Sequence, residues 1–182
     1  WHEDADHLRA EFKEKQTSVK QQLRYKSLFE GNYTAPNAPE RMNGPDDLDG
    51  VNRLFYSRGW TDGLPIIPPT PARYEKMLSG TNLDVNQLLS LIEPRQGKAT
   101  IGKVAVNAVM SGCLPEHLPV LVAAANALGN PDLNLKAPNT TTHPCTVLAI
   151  ISGPIVEEID INSTYNALGQ GSLANATIGR AI

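Results

Sequence analysis

The sequence predicts an α/β fold: a helix-rich single domain with a small sheet and an extended N-terminal helical arm. Three observations lead there. Several stretches carry apolar residues at helical spacing, opened by Thr, Asp or Pro and closed by Gly. One short run, residues 147–152, is apolar and rich in β-branched side chains, which predicts a fully buried strand. Charge is crowded toward the start of the chain. Of its 182 residues, 1–60 hold 19 charged side chains, 61–95 hold 7 and 96–182 hold 9. So little charge in the second half predicts a core, or a surface covered by another chain. The expected division is a helical arm and linker over 1–45, then an α/β core over 46–182 that further polypeptide completes.

Residues 4–29 lack Gly and Pro and space Leu8, Phe12, Val19, Leu23 and Leu28 as a thin apolar stripe. Such a helix is marginal alone and is expected to lie across a neighbouring subunit. Residues 31–45 are a Pro- and Asn-containing linker. A second helix is expected over 46–58, with Asp46 and Asp47 at its positive end and Leu48, Val51, Leu54 and Phe55 on one face. The Pro-rich segment that follows leaves room for a short edge strand at Ile66-Ile67. Thr70-Pro71 opens a helix that Gly80 is expected to close in a left-handed turn. Asp84 is expected to cap a short helix to Ile92.

Thr100 to Ser111 predicts a helix with Ile101, Val104, Ala105, Ala108 and Val109 inward, stopped by Gly112. Pro115 to Leu128 predicts another, stopped by Gly129. Residues 162–172 are a polar loop. Leu173 to Ile182 begins a helix with Leu173, Ile178 and Ile182 apolar, and the pattern stops before any closing signal.

Composition excludes several classes. Sixteen basic against nineteen acidic residues, a net charge of -3, argue against a nucleic-acid partner. No apolar run approaches the roughly 20 residues of a membrane span, so no membrane partner is expected. Two cysteines exclude a disulfide scaffold. With no signal-like stretch, a cytoplasmic location is expected.

Four groups of residues carry candidate chemistry. Cys113 falls between the stop of one helix and the start of the next, where a helix dipole favours thiolate; the competing reading is a small buried residue at a tight junction. In His143-Pro144-Cys145, proline biases His143 toward extended backbone, and in an extended run residues two apart share a face. The imidazole of His143 and the thiol of Cys145 are then expected to project together from the strand mouth, His143 as acid or base. The alternative is a buried strand cysteine beside a histidine bonded to backbone. The polar run Asn139-Thr140-Thr141-Thr142 leads into that strand, and Thr141 and Thr142 are candidate substrate ligands or turn-forming residues.

Gly169-Gln170-Gly171-Ser172-Leu173-Ala174 has Gly-x-Gly-x-x-Ala spacing, but no strand precedes it and no acidic residue follows at the distance a dinucleotide site needs. A simpler anion cradle remains, built from Gly169, Gly171, Ser172 and Asn175 with Arg180 as a clamp, against an ordinary cap. A metal site from Cys113, His143 and Cys145 has none of the usual ligand spacings, so no metal is expected, and no cofactor is assigned. Glu116-His117, in the first turn of its helix, suggests no role.

Several segments resemble a known family. Gly59-Trp60-Thr61-Asp62-Gly63-Leu64-Pro65 with Pro68-Pro69-Thr70-Pro71, then residues 104–113 with Pro115-Glu116, then Thr141-Thr142-His143-Pro144, Gly153-Pro154-Ile155 and Ala174-Asn175-Ala176-Thr177-Ile178-Gly179-Arg180, are similar to a bacterial family. That family is related to selenoprotein-type proteins named for a U/C-G-S-C motif. The resemblance spans about 59–182. Members extend well past the segment equivalent to Asn175–Arg180, the U/C-G-S-C motif is absent here, and Cys145 stands where a less reactive residue is expected.

The expected function is a subunit of an enzyme acting on a small polar or anionic substrate through a Cys/His site, by thiol-dependent redox or by lyase or hydrolase chemistry. The site is expected at an interface with a second polypeptide chain or a homo-oligomer partner. The alternative is a non-catalytic structural subunit that scaffolds a catalytic partner.

Overall fold

A computed structural model describes residues 39 and 41–182. The helix expected over 4–29 lies outside the described residues. The chain is a helix-rich α/β protein with, among the described residues, one two-stranded sheet, and it divides into two compact units.

The first unit, over its described part Gly44–Pro65, is built on α1 (Leu48–Ser57). Asp47 caps it, its carboxylate accepting the Gly50 N–H at 2.7 Å. At the other end Trp60 N–H reaches the Phe55 carbonyl and Gly59 N–H the Tyr56 carbonyl. These paired bonds are those of a Schellman close, and the apolar contact that goes with it is present. The Trp60 ring meets Phe55 edge-on at 5.4 Å, with the Arg58 guanidinium 5.0 Å from the indole. Thr61-Asp62-Gly63-Leu64 then closes on itself. The Thr61 hydroxyl accepts the Gly63 N–H at 2.7 Å and the Asp62 carboxylate accepts the Leu64 N–H at 3.1 Å.

The second unit, over its described part, comprises 39, 41–43 and Ile66–Ile182. In chain order it contains α2 (Pro71–Leu78), β1 (Leu88–Ile92), β2 (Gly97–Thr100), α3 (Ile101–Ser111), a 3₁₀ turn (Pro115–His117), α4 (Leu118–Leu128), a second 3₁₀ turn (Pro131–Leu133), α5 (Lys136–Thr140), α6 (Ile155–Glu158) and α7 (Leu173–Ala181). α3 is central: α2, α4, α7 and β2 all pack on it. Its buried positions are Ile101, Gly102, Ala105, Ala108, Val109 and Ser111. Mostly small side chains there let neighbouring helices approach closely. The core adds Met77 from α2, Leu118 and Leu121 from α4, Ala174 and Ile178 from α7, with Cys113 and Ile159.

The antiparallel pair β1–β2 registers Leu88 with Thr100, Leu91 with Lys98 and Ile92 with Gly97, with an irregularity between Leu88 and Ser90. Thr100 ends β2 and caps α3, its hydroxyl accepting the Lys103 N–H at 3.4 Å. The first amides of α3 are met from the preceding turn, Ile101 N–H by the Gln87 carbonyl and Gly102 N–H by the Val85 carbonyl. α3 closes at Gly112, whose φ of 90° is natural only to glycine.

Four local expectations are corrected, over 84–92, over 147–152, at Ile66-Ile67 and at Gly80. Residues 84–92 are not a helix. Asp84 caps a turn, accepting the Asn86 N–H at 2.7 Å, and Leu88–Ile92 pairs as a strand because residues 97–100 return beside it. Residues 147–152 are not a buried strand: among the described residues no strand lies beside them, and Ile150 is 87% exposed. Ile66-Ile67 is no strand either, although the Ile67 N–H donates to Met110 at the end of α3. Leu173 faces outward on α7, where Ala174 and Ile178 carry the burial.

Gly80 does not adopt a left-handed turn. It is small because the Pro115 carbonyl and the Leu118 side chain pass directly over its Cα, leaving no room for a Cβ. Gly80→Ala is therefore expected to cost about 1–3 kcal/mol in urea unfolding, the usual penalty of overpacking. Gly179→Ala, in α7 with open space around the Cα, is expected to gain about 0.4–1 kcal/mol.

Candidate functional site

The expected pairing of His143 and Cys145 rested on extended backbone. The chain instead turns at Pro144, where Cys145 N–H donates to the His143 carbonyl at 2.8 Å. That three-residue turn removes the alternation that places side chains two apart on one face. Upstream, the Thr140 hydroxyl donates back to the Lys136 carbonyl at 2.8 Å, and the Thr141 hydroxyl accepts the His143 N–H at 3.2 Å. Thr140 and Thr141 thus hold the turn. Thr142 and His143 are exposed.

Cys145 is exposed and lines a cavity of about 180 Å³ with Asn139, Thr146, Val147, Gly179 and Ile182 among others. His143 is not in its wall. The end of α7, at Gly179 and Ile182, reaches this cavity; the Gly-rich start of α7 does not line it. Asn139 is fixed there by a bond from its side-chain amide to the Glu93 carbonyl at 3.1 Å. An adjoining, mainly apolar groove of about 230 Å³ runs between α3 and α4 and shares Ile92, Leu128 and Ile182 with the first.

Cys113 belongs elsewhere. It is buried in the core beyond Gly112, its N–H bonded to the Ala108 carbonyl at 2.9 Å. Burial pushes the thiol pKa up, and a hydrogen bond with Thr177 only partly offsets this. The expected activation by a helix dipole is therefore overturned, because desolvation disfavours the thiolate. Cys113, His143 and Cys145 do not form a ligand set, and among the described residues no group of three or more His, Cys, Asp or Glu side chains is placed to hold a metal ion.

The proposed anion cradle is spent on the fold. Asn175 uses all four of its amide hydrogen-bonding positions. Its Oδ1 accepts from the Asn162 N–H at 2.9 Å and from the Ser172 hydroxyl at 2.8 Å. Its Nδ2 donates to the carbonyls of Asn162 and Ala167, both at 2.9 Å. The Ser172 hydroxyl in turn accepts the Asn175 N–H, which makes it an ordinary N-cap. Gly169 packs against the Asn166 side chain and Gly171 takes a φ of 112°. Arg180 lies in the last turn of α7 and is engaged by other groups.

One residue escaped the sequence reading. His117 is 2% exposed at the junction of α3, α4 and α7. Its Nδ1 accepts the Leu114 N–H at 3.2 Å and lies 3.5 Å from the Thr177 hydroxyl. Burial lowers its pKa below the ordinary imidazole value, opposed by the nearby Glu116 carboxylate. The signal was the Leu114-Pro115-Glu116-His117 spacing, which puts His117 third in its turn, where a side chain reaches back to the capping residue.

No family model, curated protein or solved structure matches the chain.

Two predictions follow from the contrasts. In native protein, iodoacetamide is expected to label one thiol among the described residues, with Cys145→Ser abolishing that labelling and Cys113 reacting only on unfolding; peptide mass mapping reads this. Asn175→Ala is expected to cost about 2–4 kcal/mol in urea unfolding, since four side-chain bonds vanish and the Asn162 and Ala167 backbone groups lose their partner.

Proposed function

We propose that this chain is a subunit of a larger protein assembly and that its part there is structural, scaffolding a partner polypeptide. The carrying observation is the apolar run 147–151. Leu148 and Ile150 point outward, and among the described residues the backbone of 147–152 has no hydrogen-bond partner. A run of β-branched side chains with open backbone donors and acceptors is what an added strand from another chain satisfies. Tyr165 and Leu168, 96% and 90% exposed in the 162–172 loop, add apolar surface left uncovered by the described residues.

A second reading is favoured by one observation: the exposed thiol of Cys145 faces a walled cavity with Asn139 and Thr146. In that reading the chain is an enzyme subunit acting on a small polar or anionic substrate, Cys145 is the nucleophile, and the acid or base comes from the partner, since His143 stands outside the cavity wall. A bacterial family related to the U/C-G-S-C proteins remains the proposed affiliation.

Analytical ultracentrifugation of the protein from its native source tests the first reading. The wild type is expected to sediment as a complex, and Ile150→Glu to release a folded monomer with unchanged circular dichroism. A wild-type monomer, or an unaffected complex in the variant, overturns it. Cys145→Ala in the intact complex separates the readings: activity retained in full supports the scaffold, and a loss of about 10²-fold or more supports the thiol enzyme.

A further inference from the structure

The 3₁₀ turn Pro115–His117 opens with half of a capping box, in which the third residue's side chain accepts the N–H of the capping residue, Leu114. Glu or Gln commonly fills that third position, and either accepts at any pH near neutrality. Here the acceptor is an imidazole nitrogen. A ring nitrogen accepts only while it carries no proton, so the bond from Leu114 exists only with His117 neutral and its proton on Nε2.

The site around it leaves a protonated Nδ1 one alternative. The Thr177 oxygen lies 3.5 Å from Nδ1, and the Thr177 proton is already given to the Leu173 carbonyl at 2.8 Å. That oxygen also has the Cys113 thiol as a hydrogen-bond partner and keeps one acceptor position for the ring. Protonation at Nδ1 sets two donors, N–H of Leu114 and N–H of the ring, against each other, and leaves the ring only the longer contact to α7.

The neighbouring charges are few. Glu116 stands beside His117 on the same turn and, among the described residues, is the charge that bears on it. The Cys113 thiol, raised by burial, stays neutral. α4 carries no charged residue, α3 carries Lys103 near its start, α7 carries Arg180 three residues beyond Thr177, and α2 carries Arg73, Glu75 and Lys76.

We propose that His117 is a proton-operated latch: neutral, it locks the α3–α4 junction through Leu114; protonated, it loses that cap and becomes a buried charge with one long contact, which favours opening of the junction on which α7 sits. α7 in turn carries Asn175, which organises the 162–172 loop, so the release reaches the exposed Tyr165 and Leu168.

The sign follows from burial. An imidazole freed from the core titrates near 6.5, and the buried one titrates lower. Above that value neither form binds the proton and opening is independent of pH. Below it the open form binds more protons, so opening rises by up to about tenfold per pH unit until the buried ring itself titrates.

Amide hydrogen exchange of Leu114 and of residues 173–181, corrected for intrinsic exchange and followed from pH 8 to pH 5, tests this. The wild type is expected to be flat above about 6.5 and to rise by up to about tenfold per unit below it. His117→Gln keeps an acceptor that does not titrate and is expected to stay flat throughout. A wild type with no break, or a glutamine variant with the same acid rise, overturns the proposal. If the variant does not fold, ¹⁵N histidine spectra of the wild type decide: a bare Nδ1 supports the latch, and a proton on Nδ1 at neutral pH overturns it.

Discussion

Everything in the larger unit depends on how closely other elements approach α3. Ala105, Ala108 and Ser111 give it a surface with little relief, and α2, α4 and α7 seat against it. Close packing of this kind resists both enlargement and deletion. Polar bonds then fix direction. The 85–87 turn meets the first amides of α3, and the Asn107 side chain donates to the Ala181 carbonyl at 2.6 Å, tying the end of α7 to it. Apolar contact supplies most of the free energy, and these few directed bonds choose among the packings that contact alone would allow.

The residues that chemistry would recruit are mostly spent on structure, and burial is what separates them. Cys113 and Cys145 are the same side chain in opposite settings: one in the core with its thiol pKa raised, one at the rim of a cavity. Asn175 and Ser172 have the donors and acceptors of an anion site, yet they face each other and the backbone of their own loop. A polar side chain already satisfied within the fold offers a ligand little, because binding must first break those bonds. Asn139 and Thr146 are the polar side chains around the exposed thiol in the cavity wall, which is why catalysis by this chain alone is the weaker reading.

The sequence was legible where a single residue type enforces local geometry. Thr70 before Pro71, Thr100 before Ile101, Gly112 after Ser111 and Pro115 at its turn each mark a boundary that the structure keeps. It was ambiguous where only apolarity spoke. Apolar content after Asp84 predicts a helix to Ile92, and the return of residues 97–100 makes Leu88–Ile92 a strand instead. Residues 147–152 have strand composition without an adjacent strand, a fact about neighbours that composition does not encode. The His143–Cys145 inference failed for a local reason: a turn at Pro144 replaced the extended backbone it required. Glu116-His117 suggests no role in the sequence because the helix dipole alone accounts for the glutamate, and the contact of His117 with Thr177 lies sixty positions on.

α7 connects the features that bear on function. Its first turn anchors the 162–172 loop through Asn175, its middle places Thr177 against Cys113 and His117, and its last residues line the cavity at Cys145. A nine-residue helix is too short to bend appreciably, so these three places respond together to any shift in its seat. Burying one exposed Ile or Leu side chain at an interface is worth about 1.5–3 kcal/mol, comparable to one or two of the hydrogen bonds that hold α7. A partner seated on the loop, as proposed, and the state of the buried imidazole would therefore act on the same helix with similar weight. If the cavity at Cys145 has a ligand, the seat of α7 is where its affinity would be coupled to assembly.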